Sequence, residues 1–169
     1  EGILENEHKN FLENLFLRVE HELTCLCDGI YLLQELSPKV LDKLYGYGEF
    51  LSSHCVTKIF IESGIRAEWI DVRAFMVTDD NFNSANPMME VIGKKLAELL
   101  SKKMDDTVYI TQGFIGATTD GFPTTMGRES SDFSAAILGA AMRADEVQIW
   151  TDVDGVFTAD PNAVPRAKK

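Results

Sequence analysis

The chain has 169 residues, 45% of them hydrophobic and 25% charged, enough for one globular domain with its own core and too few for two ordinary ones. A formal net charge of −11 argues against nucleic acid or an anionic membrane as partner, and no apolar run reaches the ~20 residues of a membrane span. Cys25, Cys27 and Cys55 form neither a disulfide framework nor a zinc spacing and read as reduced thiols of a cytoplasmic protein; His8, His21 and His54 are too scattered to hold a metal, and no signal-peptide pattern opens the chain.

Residues 5–27 carry Phe11, Leu12, Leu15, Val19, Leu23 and Leu26 at three- and four-residue steps, the stripe of an amphipathic helix. Residues 29–36 read as a turn into another helical piece, and Ser37-Pro38 opens the next helix with serine as cap and proline at the first position. Gly46 and Gly48 interrupt the helical pattern, so Glu49 is expected at the head of a new helix over 50–63. On pattern alone a carboxylate there does no more than answer the helix dipole. Residues 68–72 read as a strand, with Asp71 and Arg73 at the end where α/β sheets place ligands, and 75–78 as a further short strand. A polar loop follows over 78–84. Asn86 is expected to cap a helix with Pro87 at its first position, burying Val91, Ile92, Leu96, Leu99 and Leu100.

The densest chemistry lies between 113 and 161. Residues 107–111 alternate as a strand ending at Gly113, and 133–144 are small and apolar, a helix packed closely on a sheet. Between them stand Thr124, Thr125, Gly127, Arg128 and a helix-opening Ser131-Asp132. A helix N-terminus offers unpaired N–H groups to an anion, and Arg128 adds a two-pronged grip for carboxylate or phosphate. Asp132 beside a bare anion would be repelled unless a metal or an ammonium group joins it. The spacing therefore suggests phosphate together with something cationic. Residues 147–151 read as a final strand running into Thr151-Asp152 and a glycine turn; read without further context, that turn is a surface loop with Trp150 in the core. Neither a P-loop nor a Gly-x-Gly-x-x-Gly fingerprint occurs, and the alternation of strands and helices implies a largely parallel sheet covered by helices.

The Gly-Phe-x-Gly turn at 113–116, the Thr-Thr-x-Gly-Arg-x-x-Ser-Asp run at 124–132 and the Trp-Thr-Asp-Val-x-Gly loop at 150–155, in this order, resemble the aspartate kinase family. Gly48-Glu49-x-x-Ser52 is similar to the family motif whose glutamate faces the substrate's amino group. The resemblance implies an α/β fold: a three-layer α/β/α sandwich with a mostly parallel central sheet, the amino acid kinase fold. It implies ATP-dependent phosphorylation of the β-carboxylate of L-aspartate, with Mg2+ carried mainly by the ATP phosphates. Arg128 would hold the α-carboxylate, Glu49 the α-ammonium, and Ser131 and Thr125 would position the substrate. Asp132 would sit between the reacting groups, and Thr151, Asp152, Phe157 and Asp160 would contact the nucleotide. Aspartate kinases are dimers or larger, which implies a homodimer, and the run from Trp150 to Val156 resembles the type fused to homoserine dehydrogenase.

Departures accompany the match. Glu129 and Ser130 stand where the family mostly has glycine, and a non-glycine residue at a positive φ costs about 1 kcal/mol or more. The family's N-terminal Lys-Phe-Gly-Gly segment, a later lysine segment and the ACT regulatory domains have no counterpart in these 169 residues. The chain thus reads as part of a kinase domain, inactive by itself. Two alternatives stay open: another amino acid kinase, such as glutamate 5-kinase or acetylglutamate kinase, or a degenerate binding module of the same fold.

Overall fold

The computed structural model describes residues 6–101, 106–128 and 130–150, and positions 155, 158, 159, 163, 164, 166 and 168 beyond them. Helix α1 spans Asn6–Leu33 and buries Leu12, Leu15 and Val19, the middle of the stripe seen in sequence, while Leu23 and Leu26 are half-buried and Phe11 is exposed. The helix does not stop at Gly29. It runs on to Leu33 and ends where Gln34 takes a left-handed φ of 52°, the conformation that closes many helices. An isolated glycine costs a helix only about 1 kcal/mol, which the packing of a 28-residue element outweighs.

Helix α2 spans Pro38–Glu62, and the Ser37 Oγ accepts a bond from the Val40 N–H, as the Ser-Pro pair predicts. Here the sequence expectation fails in an instructive way. Gly46 and Gly48 break nothing; α2 passes through both without interruption, and Glu49 lies at mid-helix rather than at a helix head. Its termination is the glycine-assisted kind: Gly64 adopts φ 77° while its N–H and that of Ile65 return to the carbonyls of Ile61 and Phe60, satisfying the last turn.

The strands are short and come in two groups. Strand β1, Ala67–Trp69, pairs in parallel with β3, Val108–Ile110. Strand β2, Val77–Thr78, pairs in parallel with β4, Ile115–Thr118, which pairs antiparallel with β5, Pro123–Thr125. A single 3-10 turn, Val72–Ala74, links β1 to β2, and 111–114 link β3 to β4. Both parallel partners thus bend at the same level of the sheet. Helix α2 packs on β1 and β5 with α1 outside it, while α3 packs on β2 and on α4. The main core joins Ile70, Val72, Phe75, Met76 and Ile115 to Ile92 and Leu96 of α3 and Ile137 of α4.

Helix α3, Met89–Leu100, begins later than Asn86-Pro87 suggests, and Met88 at its cap position makes no side-chain bond. The cause is local. Asn86 gives its backbone N–H and its side-chain amide to Asp79, each at 2.8 Å, and so belongs to the 79–86 loop. Helix α4, Ser130–Met142, begins earlier than expected, because Ser130 Oγ donates to the Gly127 carbonyl at 2.7 Å. The expected strand over 147–151 does not form across the described residues 147–150: alternation alone cannot make a strand without a neighbour to receive its backbone bonds. Trp150 is 90% exposed there and is no core residue. Thr151, Asp152, Phe157, Asp160 and Glu129 lie outside the described residues.

Candidate active site

Four side positions of α2 define one stripe. Asp42, Gly46, Glu49 and Ser53 fall within an arc of about 60° at 3.6 residues per turn. Asp42 is completely buried and accepts three bonds: from the Thr125 N–H at 3.0 Å, the Thr125 hydroxyl at 2.6 Å and the Asn83 N–H at 2.9 Å. Gly46 faces the Ile115 side chain. Ser53 accepts from Gln112 Nε2 at 2.7 Å. Glu49 is thus held between two anchored turns of helix, on the side of the bend at 111–114. It is half-buried, and burial pushes its carboxyl pKa up. No described residue supplies it with a hydrogen bond or a counter-charge. A half-buried carboxylate of this kind calls for a cation from elsewhere.

The bend itself is strained. Phe114 has φ 67°, a left-handed conformation that is an outlier for a bulky side chain and costs about 1–3 kcal/mol. Two bonds hold it: its N–H donates to Ser134 Oγ at 3.0 Å, and its carbonyl accepts from the Met126 N–H at 3.0 Å. Gly113 is closely packed: a Cβ there would sit 3.1 Å from Ser131 Cβ and 3.2 Å from Ser131 Cα, nearer than ordinary van der Waals contact. The bend is therefore pressed against the first turn of α4.

That first turn carries the second group of candidates. Gly127 adopts φ 90°, a conformation that favours glycine, and turns the chain from β5 to Arg128. Arg128 is exposed and forms no ion pair with a described residue. Ser131 and Asp132 are exposed on the first turn of α4, where the helix end favours negative charge. Thr125 is 2% exposed and its hydroxyl is committed to Asp42, so it fixes the loop from below. Thr124, fully buried, shares a 2.8 Å bond with the Thr78 hydroxyl.

Ser130 meets none of the strain that its place among family glycines implies. Its φ is not in the left-handed region; its side chain is buried and closes the turn onto Gly127. Sequence reading missed Asp42, Ser53, Gln112 and Phe114. A signal existed for the first two, which share the helical face of Glu49, but it becomes visible only once α2 is known to continue through Gly46 and Gly48. Nothing in the sequence announces that Gln112 is the buried partner of Ser53.

One face of α2 and the N-terminus of α4 thus meet a strained glycine bend, presenting an unpaired carboxylate on one side and an exposed arginine, serine and aspartate on the other. Among the described residues no helix is long and apolar enough to cross a membrane. The sequence pattern of the amino acid kinase family matches residues 5–169. Lysine-sensitive aspartokinase 3 of Escherichia coli is 38% identical over 156 residues, 89% of this chain and 35% of that protein. The chloroplastic bifunctional aspartokinase/homoserine dehydrogenase 2 of Zea mays is 37% identical over 158 residues, 93% of this chain and 17% of that protein. The chain therefore spans about a third or less of the length of these relatives. Among solved structures, E. coli aspartokinase III in complex with lysine and aspartate superposes with a TM-score of 0.82 at 37% identity, over 95% of this chain and 36% of that one. The same enzyme in complex with aspartate and ADP gives 0.75, over 89% of this chain and 35% of that one.

Proposed function

The chain belongs to the amino acid kinase family, and on that footing we propose that it is part of the catalytic domain of an aspartate kinase, which transfers the γ-phosphoryl group of ATP to the β-carboxylate of L-aspartate. The observation that carries this reading is a half-buried Glu49 without a partner among the described residues, on the face of α2 whose neighbouring turns pack on the 111–115 segment; an exposed Arg128 ahead of α4 supports it. An α-amino acid presents an ammonium and a carboxylate on one carbon, and these two side chains are complementary to that pair. The solved relatives that superpose on this chain hold aspartate, and one of them holds ADP as well.

In this assignment Glu49 takes the α-ammonium, which relieves its lack of a counter-charge, and Arg128 takes the α-carboxylate in bidentate fashion. Ser131 hydrogen-bonds the substrate. Thr125 and Gly127 set the path of the loop that aims Arg128, with Asp42 beneath it. Asp132 stands at the positive end of α4 and orients the groups that approach it. A β-carboxylate oxygen forms the new bond to phosphorus and the bond to the bridging oxygen of ADP breaks, giving an acyl phosphate. Such a transfer asks the protein for position and charge balance more than for covalent help. Thr151, Asp152, Phe157 and Asp160 are proposed as nucleotide contacts. Mg2+ is proposed to arrive on the ATP phosphates, the habit of a small hard cation that keeps much of its water; Asp132 is the described carboxylate closest to that role. A cytoplasmic location fits three free cysteines. A homodimer fits the exposed apolar side chains of α1, among them Leu17, Leu32 and Leu33.

The whole protein containing this chain, assayed for aspartate-dependent ADP release, tests the reading. Activity is expected, and Arg128→Ala is expected to raise the aspartate KM by at least tenfold while leaving the ATP KM within about twofold. Absence of aspartate-dependent turnover in the whole protein, with aspartate still bound, would instead favour the binding-only module. The ordinary helical geometry of Ser130 removes one of the two grounds for that alternative.

A further inference from the structure

The two halves of the proposed site are joined through one buried residue. Ser53 Oγ accepts from Trp69 Nε1 at 2.9 Å and from Gln112 Nε2 at 2.7 Å, while its own hydrogen goes to the Phe50 carbonyl at 3.0 Å. One donor and two acceptor sites are all a hydroxyl has, so this group is saturated. Gln112, 2% exposed, is fixed at its other end as well, its Oε1 accepting the Val72 N–H at 2.8 Å. The next residue is Gly113, pressed on Ser131, and after it Phe114, bound to Ser134. Helix α2 one turn beyond Glu49 is thereby tied to the residue that enters the bend, and the bend to the turn that carries Ser131 and Asp132.

We infer that Ser53, through Gln112, is the positioning residue that sets the separation between Glu49 and the α4 end of the aspartate site, and so determines affinity for the amino acid without touching it. The inference rests on the aspartate kinase reading. Its hydrogen bonds lie in a buried, low-dielectric place where one lost partner leaves an amide and an indole N–H unanswered. A shift of a few tenths of an ångström in α2 would reach Glu49 with little attenuation, because helices move as stiff bodies.

The test is a double-mutant cycle in the whole protein, reading aspartate KM, ATP KM, kcat and melting temperature for Ser53→Ala, Ser53→Thr, Glu49→Gln and the Ser53→Ala/Glu49→Gln pair. Expected are a roughly tenfold rise in aspartate KM for Ser53→Ala with ATP KM within about twofold, recovery in Ser53→Thr, which keeps the hydroxyl, and little further rise when Ser53→Ala is added to Glu49→Gln. An unchanged aspartate KM in Ser53→Ala, or an equal rise with and without Glu49, would overturn the positioning role while leaving the kinase reading intact. An aspartate KM that ignores Glu49→Gln would take Glu49 out of the ammonium site and overturn the inference, whereas no aspartate-dependent turnover in the parent would sink the kinase reading itself. Ser53→Cys guards against misfolding: it fills nearly the same space, and its sulfur is a poor acceptor for the Gln112 amide and the Trp69 indole, so if Ser53→Ala does not fold, a Cys variant with raised aspartate KM at parental melting temperature supports the role, and one with parental KM refutes it.

Discussion

Asp42 looks unremarkable in sequence, an acidic residue in a helical run between Lys39 and Lys43, and in the fold it is among the most constrained side chains. With no exposed surface and three donors aimed at it, the carboxylate holds Thr125 and Asn83 to α2. Asp42→Ala would leave the Thr125 and Asn83 N–H groups and the Thr125 hydroxyl buried without acceptors, each worth about 1–3 kcal/mol. The variant is expected to lose about 3–5 kcal/mol of stability, measured by urea unfolding, with Asp42→Asn in between because it keeps one acceptor oxygen. A loss below about 1 kcal/mol would mean that water reaches the site. Glu49 and Asp42 share a helix face, yet only the buried one is satisfied internally. That contrast separates an acid used for structure from one left available to a ligand.

At the level of elements, much of the secondary structure was legible and its interruptions were not. The Ser-Pro start of α2, the stripe of α1 and the buried Ile92 and Leu96 of α3 follow from local rules. The glycines misled, because their helix penalty of about 1 kcal/mol is small beside the burial available to elements of 28 and 25 residues. Asn86-Pro87 misled for another reason: Asp79 competes for the same side chain, a long-range fact that no window of sequence contains. Of the site, the glycine bend and the Thr124–Asp132 run were readable as motifs, whereas the Ser53–Gln112 bond, spanning 59 positions, is a product of packing. The continuity of α1 can be tested directly. At Gly29 an added Cβ would meet nothing within 4 Å, and φ there is not positive. Gly29→Ala is therefore expected to raise stability by about 0.5–1 kcal/mol; destabilisation would indicate a turn at that position, as the sequence alone suggests.

Across the whole molecule, the outer helix, the inner helix and the sheet are joined by one aromatic stack. His54 of α2 lies parallel to Trp69 of β1 at 3.9 Å, meets Phe50 edge-on and leans on Phe11 of α1. Burial, reinforced by Lys58 and Arg18 and opposed by Asp71, holds the imidazole pKa below its usual 6.5. The sign follows: in the folded state the proton is bound less tightly than in the unfolded chain, so this contribution is intact above pH 6.5 and is lost as pH falls from there through the lower folded value. Stability is expected to fall as pH drops below about 6.5, with a slope from this group of at most ~1.4 kcal/mol per pH unit, read as melting temperature against pH. In His54→Phe, which keeps a ring against Trp69, that part of the slope should vanish. A variant with an unchanged acid slope would place the titration elsewhere.

The same stack gives the molecule two distinguishable optical labels. The chain has only two tryptophans: Trp69, whose indole is stacked on an imidazole and hydrogen-bonded to Ser53, and Trp150, 90% exposed immediately before Thr151. The first should emit to the blue and be quenched when His54 gains a proton; the second should emit to the red and yield to aqueous quenchers. Acrylamide would darken one and acid the other, so changes in the region of α2 and β1 can be followed by emission colour separately from changes beside Thr151, without any dye attached.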